Sequence, residues 1–348
     1  MNIFEVVTPK FLASKWEQSE LDREPYLFEA FFPEQRQLGI ELSYIKGKRP
    51  ALKQLDLSAF DAKVIPLSRE AFSKVTTEMP FFKNSLVLNE KIRQELLKVM
   101  ASGNQAYIDA IRNEVFNDER TLLDDAAVTR EIMRAGLMTS GTISFSSNGQ
   151  TVSYDFGIPS ANKKTLSTTA KWSATTTADP ISDIISWQDQ IEQATGKRPT
   201  NLLMNLNTFN LMKKCDAVKN AIYILGDGKV TPNTVRLKEY ILSETGCTVY
   251  IYNKGYTNAN GTFTKFVADN IVVLFPDGAV GKFYYGTTPE EADLMSGSNA
   301  TVQIVDGGVA LTTYKMSDPV TVETKVSMIA LPTLEVPDQF IIATVDGD

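Results

Sequence analysis

Apolar and polar positions change rhythm several times along this chain, and each change predicts an element. Near the amino end, VTPKFLASKWEQSE spaces Phe11, Leu12 and Trp16 about one helical turn apart, with Pro9 suited to the first turn. The next stretch, REPYLFEAFFPE, packs Tyr26, Phe28, Phe31 and Phe32 between Pro25 and Pro33. Read as a helix, it puts Leu27, Ala30 and Phe31 on one stripe and Phe28 and Phe32 on the next. Such an element is apolar most of the way round and must be covered on several sides. From 38 to 88 the period shortens to two. Ile40, Leu42 and Tyr44 alternate with polar neighbours, as do residues 63–67, and Gly47, Pro50, Pro66 and Pro80 interrupt the run. The pattern predicts a long β excursion with few local partners. Its middle, KGKRPALK, concentrates Lys46, Lys48, Arg49 and Lys53, with Lys63 further on. This reads either as a solvated hairpin tip or as a tip that lands on an acidic neighbour.

Residues 89–139 return to the helical period. Ile92, Leu96, Leu97 and Met100 form one stripe; beyond Gly103 come Ile108, Ile111, Val115 and Phe116; then Leu122, Leu123, Ala126, Ala127, Ile132 and Met133. Asn117 and Asp118 suit the N-cap of the last helix and Gly136 its end. A helix of ~20 residues is ~30 Å long, a strut rather than a filler. Around Asn148-Gly149, alternation of Ile143, Phe145, Val152, Tyr154 and Phe156 predicts a hairpin. Residues 160–178 are rich in Ser, Thr and Ala and read as a loop anchored by Trp172. From Asp179 the pattern becomes α/β. Asp179-Pro180 caps a helix bearing Ile181, Ile184, Ile185 and Ile191; 201–206 reads as a strand, 208–218 as a helix, and Thr231-Pro232 opens a helix ending at Thr245-Gly246. Strands follow at 248–253, 270–276 and 280–286, with a hairpin around Asn260-Gly261, and from Gly308 onward the chain is nearly all strand.

Composition narrows the chemistry. The 348 residues are 43% apolar and 22% charged, which suits a globular chain of two domains or one core with large excursions. Net charge is −7, so the chain is not built to grip a polyphosphate over its surface. It contains no histidine, which removes Ser-His-Asp and Cys-His catalysis and the usual zinc sites. Cys215 and Cys247 form no CxxC. Lys213 and Lys214 beside Cys215 could lower its thiol pKa, but with no histidine to activate it the residue reads as a small helix residue. ILGDGKVTP departs from a phosphate loop, because Val230 follows Lys229 where Ser or Thr should stand, so Gly226-Asp227-Gly228 reads as a turn. Asp118, Glu119, Asp124, Asp125, Asp183, Asp189, Glu290, Glu291 and Asp293 read as solvated faces or salt-bridge partners, the last three in a turn-like segment. No catalytic, cofactor or metal residue is expected. With neither a signal peptide nor an apolar run of ~18 residues, a soluble intracellular protein is expected.

Three stretches carry a resemblance. YLFEAFFPEQRQLGIELSYIKGKRPALKQLD joins an aromatic cluster and Phe-Pro to a β excursion; NDERTLLDDAAVTREIMRAGLMTSGTISF leads a long helix into a hairpin; VADNIVVLFPDGAVGKFYYGTTPEEAD pairs an apolar strand with a Gly-rich one ending in an aromatic and Gly. In this order they resemble the major capsid proteins of tailed bacteriophages, the Hong Kong 97 type fold, and within it the lambda-like major capsid protein E family. The resemblance implies an α+β fold: an N-terminal arm at 1–37, an extended loop at 38–88, a peripheral domain with its spine helix at 89–200 and 308–348, and an axial domain at 201–307. It implies a structural protein, not an enzyme, that assembles as hexamers and pentamers into an icosahedral shell enclosing DNA without sequence-specific binding. It makes Tyr26, Phe28, Phe31, Phe32, Lys46, Lys48, Arg49 and Lys53 candidates for subunit contact. A separate scaffolding protein is expected, since the chain starts at the arm; a portal is implied, and a decoration protein is left open. Assembly would take place in the host bacterial cytoplasm. The alternatives are another ring- or tube-forming virion component, which would lack the spine-helix-then-α/β order, and a carboxylate-dependent hydrolase, which would need an acidic cleft.

Overall fold

The computed structural model describes residues 9–20, 24–46, 73–88, 90–91, 94, 98, 105–147, 150–223, 230–258, 260–295, 301–315 and 321–347. In chain order the elements are α1 (Pro9–Glu20), β1 (Glu34–Arg36), β2 (Glu41–Lys46), β3 (Ser73–Glu78), β4 (Phe81–Leu88), α2 (Gln105–Ser140), β5 (Thr142–Ser147) and β6 (Gln150–Asp155). Then come β7 (Lys163–Thr165), α3 (Pro180–Thr195), β8 (Asn201–Met204), α4 (Leu206–Lys214), α5 (Asp216–Ile222), α6 (Thr234–Thr245), β9 (Thr248–Ile251), β10 (Gly255–Thr257) and β11 (Phe263–Lys265). Last are β12 (Ile271–Phe275), β13 (Gly281–Tyr285), α7 (Pro289–Met295), β14 (Thr301–Val305), β15 (Val309–Lys315), β16 (Val322–Leu334) and β17 (Ile341–Thr344).

The long helix differs from expectation in an instructive way. No new start occurs at Asn117-Asp118; α2 runs unbroken for 36 residues, about 54 Å. Asn117 does not cap; its carbonyl accepts from the Thr121 hydroxyl at 3.1 Å, one turn on. Gly136 does not end the helix either. It lies within α2, where an added Cβ would come within 3.1 Å of the Thr142 carbonyl oxygen, so it is small because the chain returns close by. The stop is Gly141, at φ +73°, whose N–H bonds to the Leu137 carbonyl at 3.0 Å. Of residues 89–104 only 90, 91, 94 and 98 are described, all helical.

The described chain forms two units. The first draws on 9–44, 75–133 and 282–332, the second on 45–46, 73–74, 134–281 and 333–347. The seams between them fall near 44, 74, 133, 281 and 332.

In the first unit an antiparallel sheet runs β14-β15-β16, and β16 also pairs with β13 and β4. β1 joins as a parallel edge strand on β13, with Glu34 opposite Phe283. The segment 81–88 therefore does not share the excursion's lack of partners. As β4 it pairs with β16 from Leu88 opposite Val322 to Phe81 opposite Ile329. β2 and β3 form a separate two-stranded ribbon. Residues 47–72, with Lys48, Arg49, Lys53 and Lys63, lie outside the described residues; Lys46 is the last residue of β2.

The second unit contains a five-stranded sheet ordered β7-β17-β12-β8-β9, in which β12 is antiparallel to both neighbours and β8–β9 and β17–β7 are parallel. Ile184, Trp187 and Ile191 of α3 pack with Phe209, Leu237 and Ile241 from other helices on Leu202, Val272 and Ile341 of the sheet. The helices carry their own punctuation: Asp179, Asn205 and Asn233 cap α3, α4 and α6, and Gly196 and Gly246 close α3 and α6 in the left-handed region. The expected helix at 208–218 is two helices, because Cys215 adopts an extended ψ of 130° between α4 and α5. Nor is 160–178 only a loop. It holds β7, while Trp172 is fully buried and stacks on Trp187 at 6.4 Å. The hairpin expected around Asn148-Gly149 is formed by β5 and β6, with Ser147 opposite Gln150.

Candidate functional site

The aromatic stretch is not an α-helix. After Tyr26, in extended conformation, one 3-10 turn covers Leu27–Phe31. A 3-10 turn brings residues i and i+3 together on one side. It does so for Phe28 and Phe31, which are both buried, and Phe32 at the exit is buried too; Tyr26 stays half-buried. Burying each phenylalanine contributes about 1.5–3 kcal/mol. Beyond Pro33 the chain is zipped to β13: Phe283 N–H donates to the Pro33 carbonyl at 2.9 Å and Gln37 N–H to the Tyr285 carbonyl at 2.8 Å. The three phenylalanines expected at subunit contacts thus lie inside their own chain.

Behind them runs a chain of polar groups, most of them buried, that sequence reasoning missed. Trp16 Nε1 donates to Asp306 Oδ1 at 2.7 Å. Asp306 Oδ2 accepts from Arg130 Nη2 at 2.6 Å, with side chains 4% and 3% exposed. Arg130 Nη1 donates to Tyr285 Oη at 2.8 Å, and that hydroxyl donates to Glu34 Oε1 at 3.0 Å. The next helical residue, Glu131, accepts from Phe28 N–H at 3.3 Å. Burial works against the charge on Arg130, but Tyr285 and Asp306 more than offset it and hold the guanidinium above its ordinary value. The turn carrying Asp306 needs the two glycines that follow it: a Cβ on Gly307 would meet Glu34 at 2.7 Å, and one on Gly308 the Tyr285 ring at 2.4 Å. A sequence signal for this cluster existed. Arg130 and Glu131 stand between the apolar stretches Ala126–Val128 and Ile132–Met133, and both are almost fully buried.

A second cluster secures α7, which is a helix rather than a turn. Glu291, buried, pairs with Arg36 of β1 at 2.5 Å. Glu290 pairs with Lys325 of β16 and accepts from the Ser327 hydroxyl at 2.8 Å. Burial opposes the charge on Glu290, yet these partners outweigh it and hold the carboxyl below its ordinary range. The other carboxylates expected in ion pairs behave variously. Asp189 pairs with Arg198 at 2.6 Å and Asp124 with Arg120 at 3.6 Å, whereas Asp183 accepts from Trp172 Nε1 at 2.9 Å. No group of acidic or sulfur side chains among the described residues is placed to hold a metal ion. Lys213 and Lys214 do not activate Cys215. Burial pushes its thiol up to about 12, and the Lys213 amine donates instead to Thr234 at 2.8 Å. Gly226-Asp227-Gly228 lies outside the described residues. No described helix is long and apolar enough to cross a membrane.

An anchored amino-terminal segment, a two-stranded ribbon, a long helix, a hairpin, an α/β unit and returning strands together make the Hong Kong 97 type fold of phage capsid proteins. Three solved structures share it. A prophage protein of Escherichia coli CFT073, described as a capsid protein, is 14% identical with a TM-score of 0.60 and matches over 97% of this chain and 99% of its own. A phage-related protein of Bordetella bronchiseptica RB50 is 11% identical with a TM-score of 0.57 over 97% of both chains. The capsid protein of cyanophage A-1(L) is 12% identical with a TM-score of 0.52 over 99% of this chain and 94% of that one. By sequence, the phage major capsid protein E family matches residues 10–345, and the chain belongs to that family. It is a structural protein of the virion that assembles into a multimeric shell. No curated protein matches the chain.

Proposed function

We propose that the chain builds the icosahedral head as hexamers and pentamers around the phage DNA. In this reading the first unit is the peripheral domain and the second the axial domain. Residues 1–37 are the arm, and the excursion between β2 and β3 is the extended loop. The observation that supports it best is how the amino-terminal segment uses its apolar surface. Phe28, Phe31 and Phe32 anchor the segment from inside. What they leave for a neighbour is half-buried Tyr26 and, just beyond, Leu38 (81% exposed) and Ile40 (45%). Lys46, Lys48, Arg49 and Lys53 lie, in this proposal, over an acidic surface of the adjacent subunit. A net charge of −7 fits a wall that encloses DNA without gripping it. Assembly in the bacterial cytoplasm, on a separate scaffolding protein with a portal at one vertex and with or without an outer decoration protein, completes the proposal. Co-expression with the neighbouring genes and negative-stain electron microscopy test it. Closed shells of uniform diameter are expected. Open tubes would move the chain to another virion component, since head-to-tail contacts that do not close run on as filaments. A monomer or dimer at every concentration would overturn the reading.

A further inference from the structure

We propose that Asp306 is a latch: through Trp16 it holds helix α1 on the first unit, and α1 is built to leave that seat while the rest of the unit stays folded. α1 packs on β14 and β15. Of its six described side chains, Ala13 and Trp16 are buried, one turn apart, while Lys10, Ser14, Lys15 and Glu17 are exposed. Twelve residues are too few for a helix to persist by itself in water, so the order of α1 depends on its seat.

The other side of the latch is secured without α1. Arg130 Nη2 holds Asp306 Oδ2 at 2.6 Å, and Arg130 Nη1 lies 3.3 Å from the Asp306 carbonyl. Arg130 is held in turn by Tyr285, and Tyr285 by Glu34. When Trp16 departs, the buried carboxylate keeps its cation. Detachment therefore uncovers an indole and breaks its bond to Oδ1, but strands no charge in the core. The backbone points the same way. Asp306 has φ +45°, in the left-handed region that Asn, Asp and Gly enter most readily. Glycine or asparagine would ease the turn as well or better; only aspartate also offers one carboxylate oxygen to the guanidinium and the other to the indole.

Hydrogen–deuterium exchange on the full-length, unassembled chain tests this. In the wild type, amides of 9–20 should exchange faster than those of 122–138. Trp16→Phe keeps a ring but removes the N–H donor. It should speed exchange across 9–20 about tenfold, the size expected for a hydrogen bond to a charged group, and leave 122–138 unchanged. Asp306→Asn should release α1 as well, because its amide cannot accept from both donors; if that variant fails to fold, Trp16→Phe decides alone. Unchanged exchange over 9–20 in Trp16→Phe, or equal acceleration of 9–20 and 122–138, would overturn the latch. The measurement needs no shell, so failure of wild-type assembly would count against the shell proposal and leave the latch standing.

Discussion

In the second unit, α3 carries its start, its stop and its buried face within sixteen residues and their two flanking caps. In the first unit, Trp16 is completed by Asp306, 290 positions away, and Tyr285 by Glu34, 251 positions away. The second unit has an apolar core of strand and helix side chains, and its buried Gln188 donates to the Pro199 and Thr245 carbonyls at 2.8 and 2.9 Å. The first threads an ion pair through its interior and lets β4 show both faces, with Phe81 42%, Leu86 39% and Val87 51% exposed. The contrast separates a unit whose helices carry their own local signals from one whose polar interior is completed by distant parts of the chain meeting. It also says where each should be vulnerable.

The largest effect expected is from deleting residues 1–37. That removes Phe28, Phe31, Phe32 and β1 together. At about 3–5 kcal/mol for each buried phenylalanine, the loss rivals the whole stability of a typical domain. Limited proteolysis should then cut the first unit freely while 160–281 resists; a deletion variant as resistant throughout as the wild type would show that these aromatics are not core. Next comes Arg130→Ala, which leaves the Asp306 carboxylate buried without its cation and should cost about 3–5 kcal/mol in chemical denaturation. The double variant Arg130→Met with Asp306→Asn should cost less than the sum of its parts. Strict additivity in that double-mutant cycle would deny the coupling.

Two carboxylates, one in each unit, should answer acid with opposite signs. Glu290 is held below its ordinary value of 4.5, so the stability it contributes is present above about pH 4.5 and lost as pH falls through the folded value. Glu290→Gln should flatten that acid loss. Asp183 is shifted the other way. Burial raises its carboxyl above 3.8, although the Trp172 N–H bond pulls it down. Its charge therefore costs stability as pH rises from the unfolded value through the folded one, and Asp183→Asn should remove that cost at neutral pH. Denaturation midpoints from pH 3 to 7 would show both, and parallel pH curves for the two variants would refute the contrast. The smallest change is Asp179→Ala, which removes the α3 cap and should cost about 1 kcal/mol; thermal unfolding reads it directly.

Legibility followed the same division. The caps at Asp179 and Gly246, the Asn148-Gly149 hairpin and the strands at 201–204 and 271–275 could be read because each depends on residues within a few positions of one another. The break expected at Asn117 failed because a cap preference of about 1 kcal/mol is by itself too weak to interrupt a helix whose backbone continues on both sides. The aromatic stretch was legible as something that must be covered, but not as a 3-10 turn, since covering depends on composition and turn type on what lies opposite.

By itself the sequence determined most of the second unit's helices and strands, the need to bury 26–32, the absence of histidine chemistry and, through the order of its parts, the family. Tertiary structure alone decided that Gly136 packs and Gly141 stops, that β4 belongs to a sheet, and that Arg130, Asp306, Tyr285, Glu34 and Trp16 meet. Periodicity reports only the side of an element that is covered. Which charge meets which depends on chain closure over hundreds of residues, and one-dimensional spacing carries no record of it.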